Sequence, residues 1–518
     1  MLKFKIPMNT DTIFDFFSFV LSKLSAYFGS LDFSRITDIL QYNPQEPLLF
    51  SSGAFLFIFT GFMLVYFLLR KQFSSRLFFV TLFSYYFFYK SSGFYFALLA
   101  LVTISDYLIA RVIPRSNKAK LWVAVSLFID LGLLAYFKYT NFFVGMVSQM
   151  IGNNFQPWDI FLPVGISFYT FKSISYVIDV YRGKMKPMDS LLDYAFYVSY
   201  FPTLLAGPIE RAADFHPQTR KPLQITSEMF TLGVYFVMVG LLKKAVISDY
   251  ISQNFVDRIY DNPTLFSGGE ILLGIYGYCI QIYSDFSGYS DMAIGISLLL
   301  GFKLKMNFNA PFKADSMSDF WRRWHISLST WIRDYVYISL GGNRHGRWRM
   351  YLNQMLAMTA CGLWHGASLN FVVWGMLHGL LVCIHKFWSQ TVLGHDRHYH
   401  PTGIRRFVSV FVTFHVLCFS WLFFRCKDFE SVWLMVRQMV GKFNLHVMPD
   451  VLFSYRYVFI LMLLAMIGHW LPDSWQDRFV RLLQKGGVVG SAIAITVVVF
   501  IIMQVKSSEI QPFIYFQF

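Results

Sequence analysis

The chain has 518 residues, of which 55% are hydrophobic, 19% aromatic and only 14% charged, and its formal net charge at pH 7 is +15. A soluble globule of this composition would expose large apolar patches, so the composition excludes that class and indicates an integral membrane protein in contact with membrane lipid. The basic residues lie in short clusters between apolar runs, which favours membrane topology over a nucleic-acid partner as the origin of the charge.

Apolar runs that suit membrane helices recur along the whole chain. A bilayer crossing takes about 17 to 25 residues. The candidate spans lie at residues 52–69, 77–89, 94–113, 121–137, 160–180, 230–251, 271–283, 371–384, 407–424, 457–470 and 488–503. The pattern predicts an all-α polytopic bundle of roughly eleven to thirteen transmembrane helices.

The basic clusters also predict an orientation, because cytoplasmic loops of membrane proteins carry an excess of Lys and Arg. We expect the clusters on the cytoplasmic side, at residues 70–71, 111–120, 182–186 and 344–349. Before the first strong span, residues 1–47 form an extension. Its apolar stretch, residues 13–28, precedes no small-residue cleavage site and is predicted to be an extra span or an interfacial helix.

Three apolar segments contain residues that break helices, and we expect irregular or re-entrant backbone in them. Prolines and glycine interrupt residues 201–211, and Asn and Pro interrupt residues 307–311. The third segment, residues 283–292, carries Asp285 and Asp291 among serines. These aspartates lie about 240° apart around an ideal helix, so each should hydrogen-bond a different neighbouring helix or pair with an arginine.

Residues 316–335 are predicted to form one amphipathic helix that starts with a capping box at Ser316 and Asp319. Aromatic residues recur on one face at helical spacing. The opposite face carries Arg322, His325, Ser329 and Arg333. Such a face suits the phosphates of an acyl carrier. It also suits lipid headgroups, in which case the segment would be a juxtamembrane anchor.

A histidine stands deep in an apolar run at His365, since residues 350–362 carry no charge. An ionisable side chain at that depth is costly and usually has a function, and His can act as a base near neutral pH. Gly366 leaves room beside the imidazole for another group. On one continuous helix His378 would lie about 20 Å away on another face, so we assign it a structural role.

The sequence gives no convincing metal site. The five cysteines stand singly in apolar sequence without ligand spacing, and we expect them to be buried as small hydrophobic residues. His395, His398 and His400 lie in one loop with Pro401. That composition favours a solvated loop, so we predict no metal centre.

A series of ordered motifs resembles those of the membrane-bound O-acyltransferase (MBOAT) family. The motifs are LPVGISFYTF at 162–171, YVIDVYRG at 176–183, FPTLLAGP at 201–208, DFSGYSDM at 285–292, FWRRWHISLSTW at 320–331, LGGNR at 340–344 and LWHGA at 363–367. They are most similar to the branch of the alginate O-acetyltransferase membrane subunit. The resemblance covers residues 48–425, preceded by the extension 1–47 and followed by further transmembrane helices in residues 426–518.

The resemblance implies an MBOAT-like bundle with re-entrant and amphipathic segments around a central tunnel in a bacterial inner membrane. It implies that His365 is catalytic, as a general base, and that His325 lies close to it. The donor would be an acyl thioester such as acetyl-coenzyme A, without any tightly bound cofactor. The acceptor would be an extracytoplasmic polysaccharide, reached directly or through a periplasmic or extracellular acyltransferase partner. The expected substrate-binding residues are Trp364, Arg322, Arg323, Arg333, Asp285, Asp291 and Asn343.

Other functions remain open from the sequence. Within the same class of enzyme, D-alanyl transfer to teichoic acid and O-acetylation of peptidoglycan are alternatives. A transporter would also have broken helices and buried acids, although the sequence shows no symmetric pair of halves. A non-catalytic assembly subunit would tolerate replacement of His365.

Overall fold

The computed structural model describes residues 40–44, 46–396, 399–505 and 513–514. Within these residues the chain is helical and has no β-strand, so the predicted all-α class is confirmed. The apolar stretch 13–28 lies outside the described residues, and its assignment as a span or interfacial helix stays a prediction.

Over the described residues the bundle contains twenty principal helices, several of them joined by π-helical turns. In chain order they are α1 Gly53–Leu68, α2 Phe73–Ser92, α3 Phe96–Val112, α4 Ala119–Leu134, α5 Thr140–Met150, α6 Ile166–Tyr181, α7 Leu191–Ser199, α8 Ala212–Thr219, α9 Ser227–Leu241, α10 Gly268–Leu299, α11 Met317–Arg323, α12 Ile326–Trp331, α13 Gly346–His365, α14 Leu369–Lys386, α15 Gly403–Ser420, α16 Leu422–Arg425, α17 Phe429–Gly441, α18 Met448–Ser454, α19 Arg456–Trp470 and α20 Asp473–Val505. The π-helical turn Ala135–Tyr139 joins α4 to α5, and α9 continues through π-helical turns to Asp261.

Six helical runs within the described ranges are long and apolar enough to cross a membrane. They are Phe73–Arg115, Ala119–Met150, Ser227–Asp261, Leu369–Val392, Gly403–Arg425 and Asp473–Val505. The pair α18 and α19, bent by 81°, adds a seventh if it forms one span. This count is below eleven because several apolar runs form short helices inside the protein, such as α6 with 16 residues. The chain is a multi-pass membrane protein.

Helix α10 lies in the middle of the bundle, with most of its side chains buried. It packs closely on α9, since a Cβ atom on Gly240 would lie 2.6 Å from the carbonyl oxygen of Gly288. The helix is unbroken from 268 to 299, so the irregular backbone predicted for residues 283–292 is wrong. Gly288 permits a close helix contact there and does not end the helix.

The other two predicted breaks are confirmed. A single 3-10 turn, Phe201–Thr203, is followed by non-helical backbone as far as Arg211. Residues 301–316 are non-helical apart from the 3-10 turn Pro311–Lys313. The first segment is almost entirely buried, and the second alternates buried and exposed residues. Irregular backbone is tolerated at membrane depth where protein groups satisfy its hydrogen bonds.

The C-terminal residues that can be described also lie in the core. Phe513 is 1% exposed, and its ring centroid lies 4.9 Å from that of Tyr289 on α10. The amide of Ile514 donates a hydrogen bond to Asp285 Oδ2 at 2.8 Å. The chain therefore returns to the central helix near its end.

Candidate active site

Helix α13 ends at His365, whose side chain lies inside the protein and is 2% exposed. The backbone is extended at Gly366, and α14 starts at Leu369 and runs back along α13. A Cβ atom on Gly366 would overlap the ring of Phe371, so the space predicted beside the imidazole exists and that ring occupies it. The glycine is needed for the tight return of the chain.

The return of α14 corrects the geometry assumed for His378. The two histidines are not on one continuous helix, because α13 ends at His365 and α14 reverses direction. His378 Nε2 lies 3.0 Å from Ser420 Oγ, and its ring packs 4.4 Å from that of Trp374. Trp374 in turn lies 5.2 Å from the ring of His365. The structural role of His378 stays a prediction.

His325 lies between α11 and α12 in a left-handed conformation, with φ of 43°, and is fully buried. Its Nδ1 lies 3.2 Å from Asn307 Oδ1. The same oxygen accepts hydrogen bonds from the amide and hydroxyl of Ser327, at 3.2 and 2.9 Å. A non-glycine residue with positive φ is strained. Asn307 therefore supports the turn that directs the imidazole inward.

Both imidazoles lie close to the ring of Trp364. The ring centroid of His325 is 6.0 Å from Trp364, and that of His365 is 4.9 Å from it. Trp364 also packs against Phe171 on α6 at 5.4 Å. Residues from distant motifs thus meet at one place.

A small cavity, which we call the histidine cavity, opens beside His365. Its volume is about 40 Å³, enough for water or the reacting end of a substrate but not for a whole coenzyme. It is lined by Lys138, Leu162, Pro163, Val164, Gly165, Ile166, Ser167, Phe168, Leu205, Trp364 and His365. The sequence motif at 162–171 therefore forms much of the wall around the histidine.

A larger cavity, which we call the basic cavity, is lined by the part of α13 that precedes His365 and has a volume of about 430 Å³. Three cationic side chains and several hydroxyl groups line it. Its residues are Ser318, Trp321, Arg322, Ile326, Ser329, Thr330, Ile332, Arg333, Tyr337, Gln354, Ala357, Met358, Cys361, Val382 and Lys386. Cavities of this size and polarity suit a small-molecule ligand with anionic groups.

The predicted amphipathic helix at 316–335 is only partly correct. Ser316 caps the helix, as expected, by accepting a hydrogen bond from the amide of Asp319. The helix then breaks at Trp324 and His325, because His325 adopts positive φ. Arg322 and Arg333 still meet at the basic cavity, whereas His325 turns into the core. The cationic face is thus assembled from α11 and from the π-helical turn Ile332–Tyr337 that continues α12.

The remaining predicted binding residues lie elsewhere. Arg323 Nε binds Asp319 Oδ2 at 2.7 Å. Asp285 Oδ1 pairs with Lys244 Nζ at 2.6 Å, and Asp291 Oδ2 pairs with Lys243 Nζ at 2.7 Å. The partners are lysines of α9's extension and not arginines. Neither carboxylate lines the histidine cavity or the basic cavity.

Asn343 is exposed in the turn before α13. Four of the cysteines are buried as predicted, and Cys426 is half-buried. In the histidine-containing loop, His400 Nδ1 lies 2.6 Å from Asp315 Oδ2, and these two residues with Asp319 bring possible ligand atoms within 4.8 Å of one another. His398 lies outside the described residues. The loop is therefore tied through His400 to Asp315, just before α11.

Three residues at the site were not predicted from the sequence. Asn307 supports His325, Lys386 joins the basic cavity, and Lys138 reaches the end of α13. Asn307 lies in the predicted break at 307–311, so its position marked it as unusual. The two lysines resemble ordinary residues at membrane-helix ends, and their sequence context offers no comparable signal.

A buried histidine that lines a small cavity, one helical turn from a larger basic cavity inside an all-α multi-pass bundle, points to a membrane-embedded enzyme. The model of the membrane-bound O-acyltransferase family matches residues 186–424. The chain belongs to this MBOAT family and is an O-acyltransferase.

Three curated relatives with different named activities illustrate this similarity. The probable alginate O-acetylase AlgI of Pseudomonas aeruginosa is 38% identical over 403 residues, which is 76% of this chain and 75% of the relative. The peptidoglycan O-acetyltransferase of Helicobacter pylori is 35% identical over 76% of this chain and 80% of the relative. The teichoic acid D-alanyltransferase of Bacillus subtilis is 29% identical over 53% of this chain and 71% of the relative.

Proposed function

We propose that this O-acyltransferase moves an acetyl group from a cytoplasmic thioester, such as acetyl-coenzyme A, toward hydroxyl groups of an extracytoplasmic polysaccharide. The acyl group reaches the polysaccharide directly or through a periplasmic or extracellular acyltransferase partner, and the protein resides in a bacterial inner membrane. The names of two relatives support the acetyl group and a glycan acceptor, since one refers to alginate and the other to peptidoglycan.

One observation carries the proposal, namely that a single turn of α13 joins the two cavities. Cys361 lines the basic cavity, and His365 lines the histidine cavity. Four residues of helix span about 6 Å. A thioester whose anionic part lies in the basic cavity can therefore present its acyl carbon near His365, while the acceptor hydroxyl enters from the histidine cavity.

The chemistry follows from a neutral imidazole at this position. The acceptor oxygen attacks the thioester carbonyl carbon while His365 takes the hydroxyl proton. The tetrahedral intermediate then collapses, the carbon–sulfur bond breaks, and the imidazolium returns its proton to the leaving thiolate. The products are an ester and a thiol. The packed rings of Trp364 and Trp374 exclude bulk water and so limit hydrolysis of the thioester.

The basic cavity supplies the recognition of the donor. Arg322 and Arg333 offer planar guanidinium groups for phosphate oxygens, and Lys386 adds a third positive charge. A hydrogen bond from Arg333 Nε to Asp334 Oδ1 raises the pKa of the guanidinium, so Arg333 keeps its charge at every working pH. The positive-inside rule places this face toward the cytoplasm, where coenzyme thioesters are available.

The test is acyl transfer by the full chain in lipid nanodiscs, with acetyl-coenzyme A as the donor and an oligosaccharide acceptor. We expect His365→Ala and His365→Gln to lower transfer by ~10²-fold or more, because neither side chain can accept the proton. Expression and thermal stability should stay near wild type. Full activity in either variant would remove His365 from the mechanism.

The acceptor class is tested in cells. Mass analysis of surface glycans should show acetyl esters on an exopolysaccharide that disappear in the His365→Ala strain. Loss of peptidoglycan acetyl groups, or of D-alanyl esters on teichoic acid, would instead identify one of the alternative acceptors. Unchanged glycans in every fraction would contradict the proposal.

A further inference from the structure

The helical run Ala119–Met150 is mostly lipid-facing, since only 17% of its most apolar window is buried in the protein. Its inward side nevertheless carries the polar residues Ser126, Asp130 and Lys138, spaced by four and by eight positions. Ser126 Oγ donates a hydrogen bond to Asp106 Oδ1 on α3 at 2.7 Å. This hydrogen bond fixes the run to α3 at a point about three helical turns before Lys138.

The π-helical turn Ala135–Tyr139 directs two side chains at the end of α13. Lys138 Nζ donates to the carbonyl oxygens of Trp364 and His365, at 2.7 and 3.1 Å. Tyr139 OH donates to the carbonyl oxygen of Leu363 at 2.8 Å. A π-helical turn inside an α-helix often occurs at a functional site.

These contacts satisfy groups that a helix end leaves open. The last four carbonyls of an α-helix have no partner within the helix and need a cap, water or another donor. The extended conformation at Gly366, with φ of −167°, does not form the usual glycine cap of left-handed backbone. The ε-amino group of Lys138 takes the place of that cap for the residue that carries the imidazole.

We propose that Lys138 is a positioning residue, which clamps the last turn of α13 and thereby holds the His365 imidazole at the histidine cavity. The inference rests on the proposed role of His365 as the base. A misplacement of about 1 Å at a reacting group can cost ~10²-fold in rate. The contact of Lys138 with the carbonyl of His365 therefore matters more than contacts with the residues before His365.

The chain offers a matched control for this proposal. Lys138 and Tyr139 both bind the end of α13, but only Lys138 reaches the carbonyl of His365. Lys138→Met removes the donors while keeping the length of the side chain. Lys138→Arg restores donors, and Tyr139→Phe removes one hydrogen bond to the same turn without touching His365.

The kinetic test uses the three variants in nanodiscs, with acetyl-coenzyme A and thiol release as the readout. We expect Lys138→Met to lower kcat by about 10- to 100-fold while KM for acetyl-coenzyme A changes less than about twofold. Lys138→Arg should recover most of kcat. Tyr139→Phe should stay within about threefold of wild type. An unchanged kcat in Lys138→Met, or an equal loss in Tyr139→Phe, would overturn the proposal.

A second readout separates this inference from the proposed mechanism. Hydrogen exchange of the peptide that covers residues 360–367 should quicken in Lys138→Met and return toward wild type in Lys138→Arg. Unchanged exchange in Lys138→Met would contradict the clamp. If His365→Ala kept its activity while Lys138→Met still loosened this peptide, the clamp would stand and the assignment of the base would fail.

Discussion

Two regions inside the bundle bury ionisable side chains in different surroundings. Between α9 and α10, charged groups meet charged groups, as Lys244 does with Asp285 and with Asp249 at 2.8 Å. Around Trp364, the ionisable groups are imidazoles among aromatic rings, next to cavities. The ion pairs join two helices, and Lys243 also lines a cavity of about 390 Å³. His365 lines the histidine cavity and is surrounded by aromatic rings. Burial and access to a cavity therefore do not distinguish a reactive group by themselves; the side chain's chemistry does, since an imidazole can accept a proton and a paired ammonium group cannot.

The largest effect should come from breaking the ion pairs. Lys244→Met leaves Asp285 as a buried carboxylate without its cation, and we expect a loss of about 3 to 5 kcal/mol in stability. Activity should fall together with the melting temperature. Thermal unfolding in nanodiscs measures the loss of stability, and an acetyl-transfer assay measures the loss of activity.

The matched controls use the neighbouring pair and the double variant. Lys243→Met should cost less, because the Lys243 side chain is 25% exposed and its partner Asp291 is 10% exposed. Adding Asp285→Asn to Lys244→Met should restore part of the stability, since the stranded charge is then removed. If Lys244→Met lost activity with unchanged melting, this region would belong to the catalytic site and the contrast would fail.

A smaller effect should come from Asn307, which supports the left-handed turn at His325. Asn307→Ala leaves buried donors of Ser327 without an acceptor, and we expect about 1 to 3 kcal/mol of destabilisation. In the folded protein the rate of acetyl transfer should also fall by roughly tenfold, because Asn307 no longer holds His325 in place. Kinetics at a temperature where the variant is fully folded separate the two losses.

Asn353 is the control for that experiment. It is also fully buried, and its side-chain amide donates to the carbonyl oxygen of Gly342 at 2.9 Å, away from the histidines. Asn353→Ala should lower stability with little change in kcat. Equal kinetic losses in the two asparagine variants would argue against a specific role for His325.

The smallest effect should come from the basic cavity, where several cations share one ligand. Arg333→Ala should raise KM for acetyl-coenzyme A by a few fold, and added salt should reproduce part of the loss. An acetyl thioester without phosphates should be unaffected, and Arg323→Ala, whose guanidinium binds Asp319, should change donor affinity less. Equal effects on both donors would favour the membrane-anchor interpretation of these arginines.

Much of the molecule follows from local sequence. The apolar composition requires a membrane protein. The prolines at 201–211 and 307–311 produce the irregular segments, and Ser316 starts a helix. His365 stands out because an ionisable residue in an apolar run is costly. Each of these effects depends on residues within a few positions of one another, which is why the sequence alone reveals them.

Contacts between residues that are far apart in the chain became known only from the tertiary structure. The lysines that pair with Asp285 and Asp291 lie more than forty residues away. Lys138 is 227 residues before the carbonyl that it binds. The positive φ of His325 splits a segment whose periodicity predicts one helix, because packing with Asn307 outweighs local helix propensity. Which side chains meet is set by how the helices pack, and no local pattern contains that information.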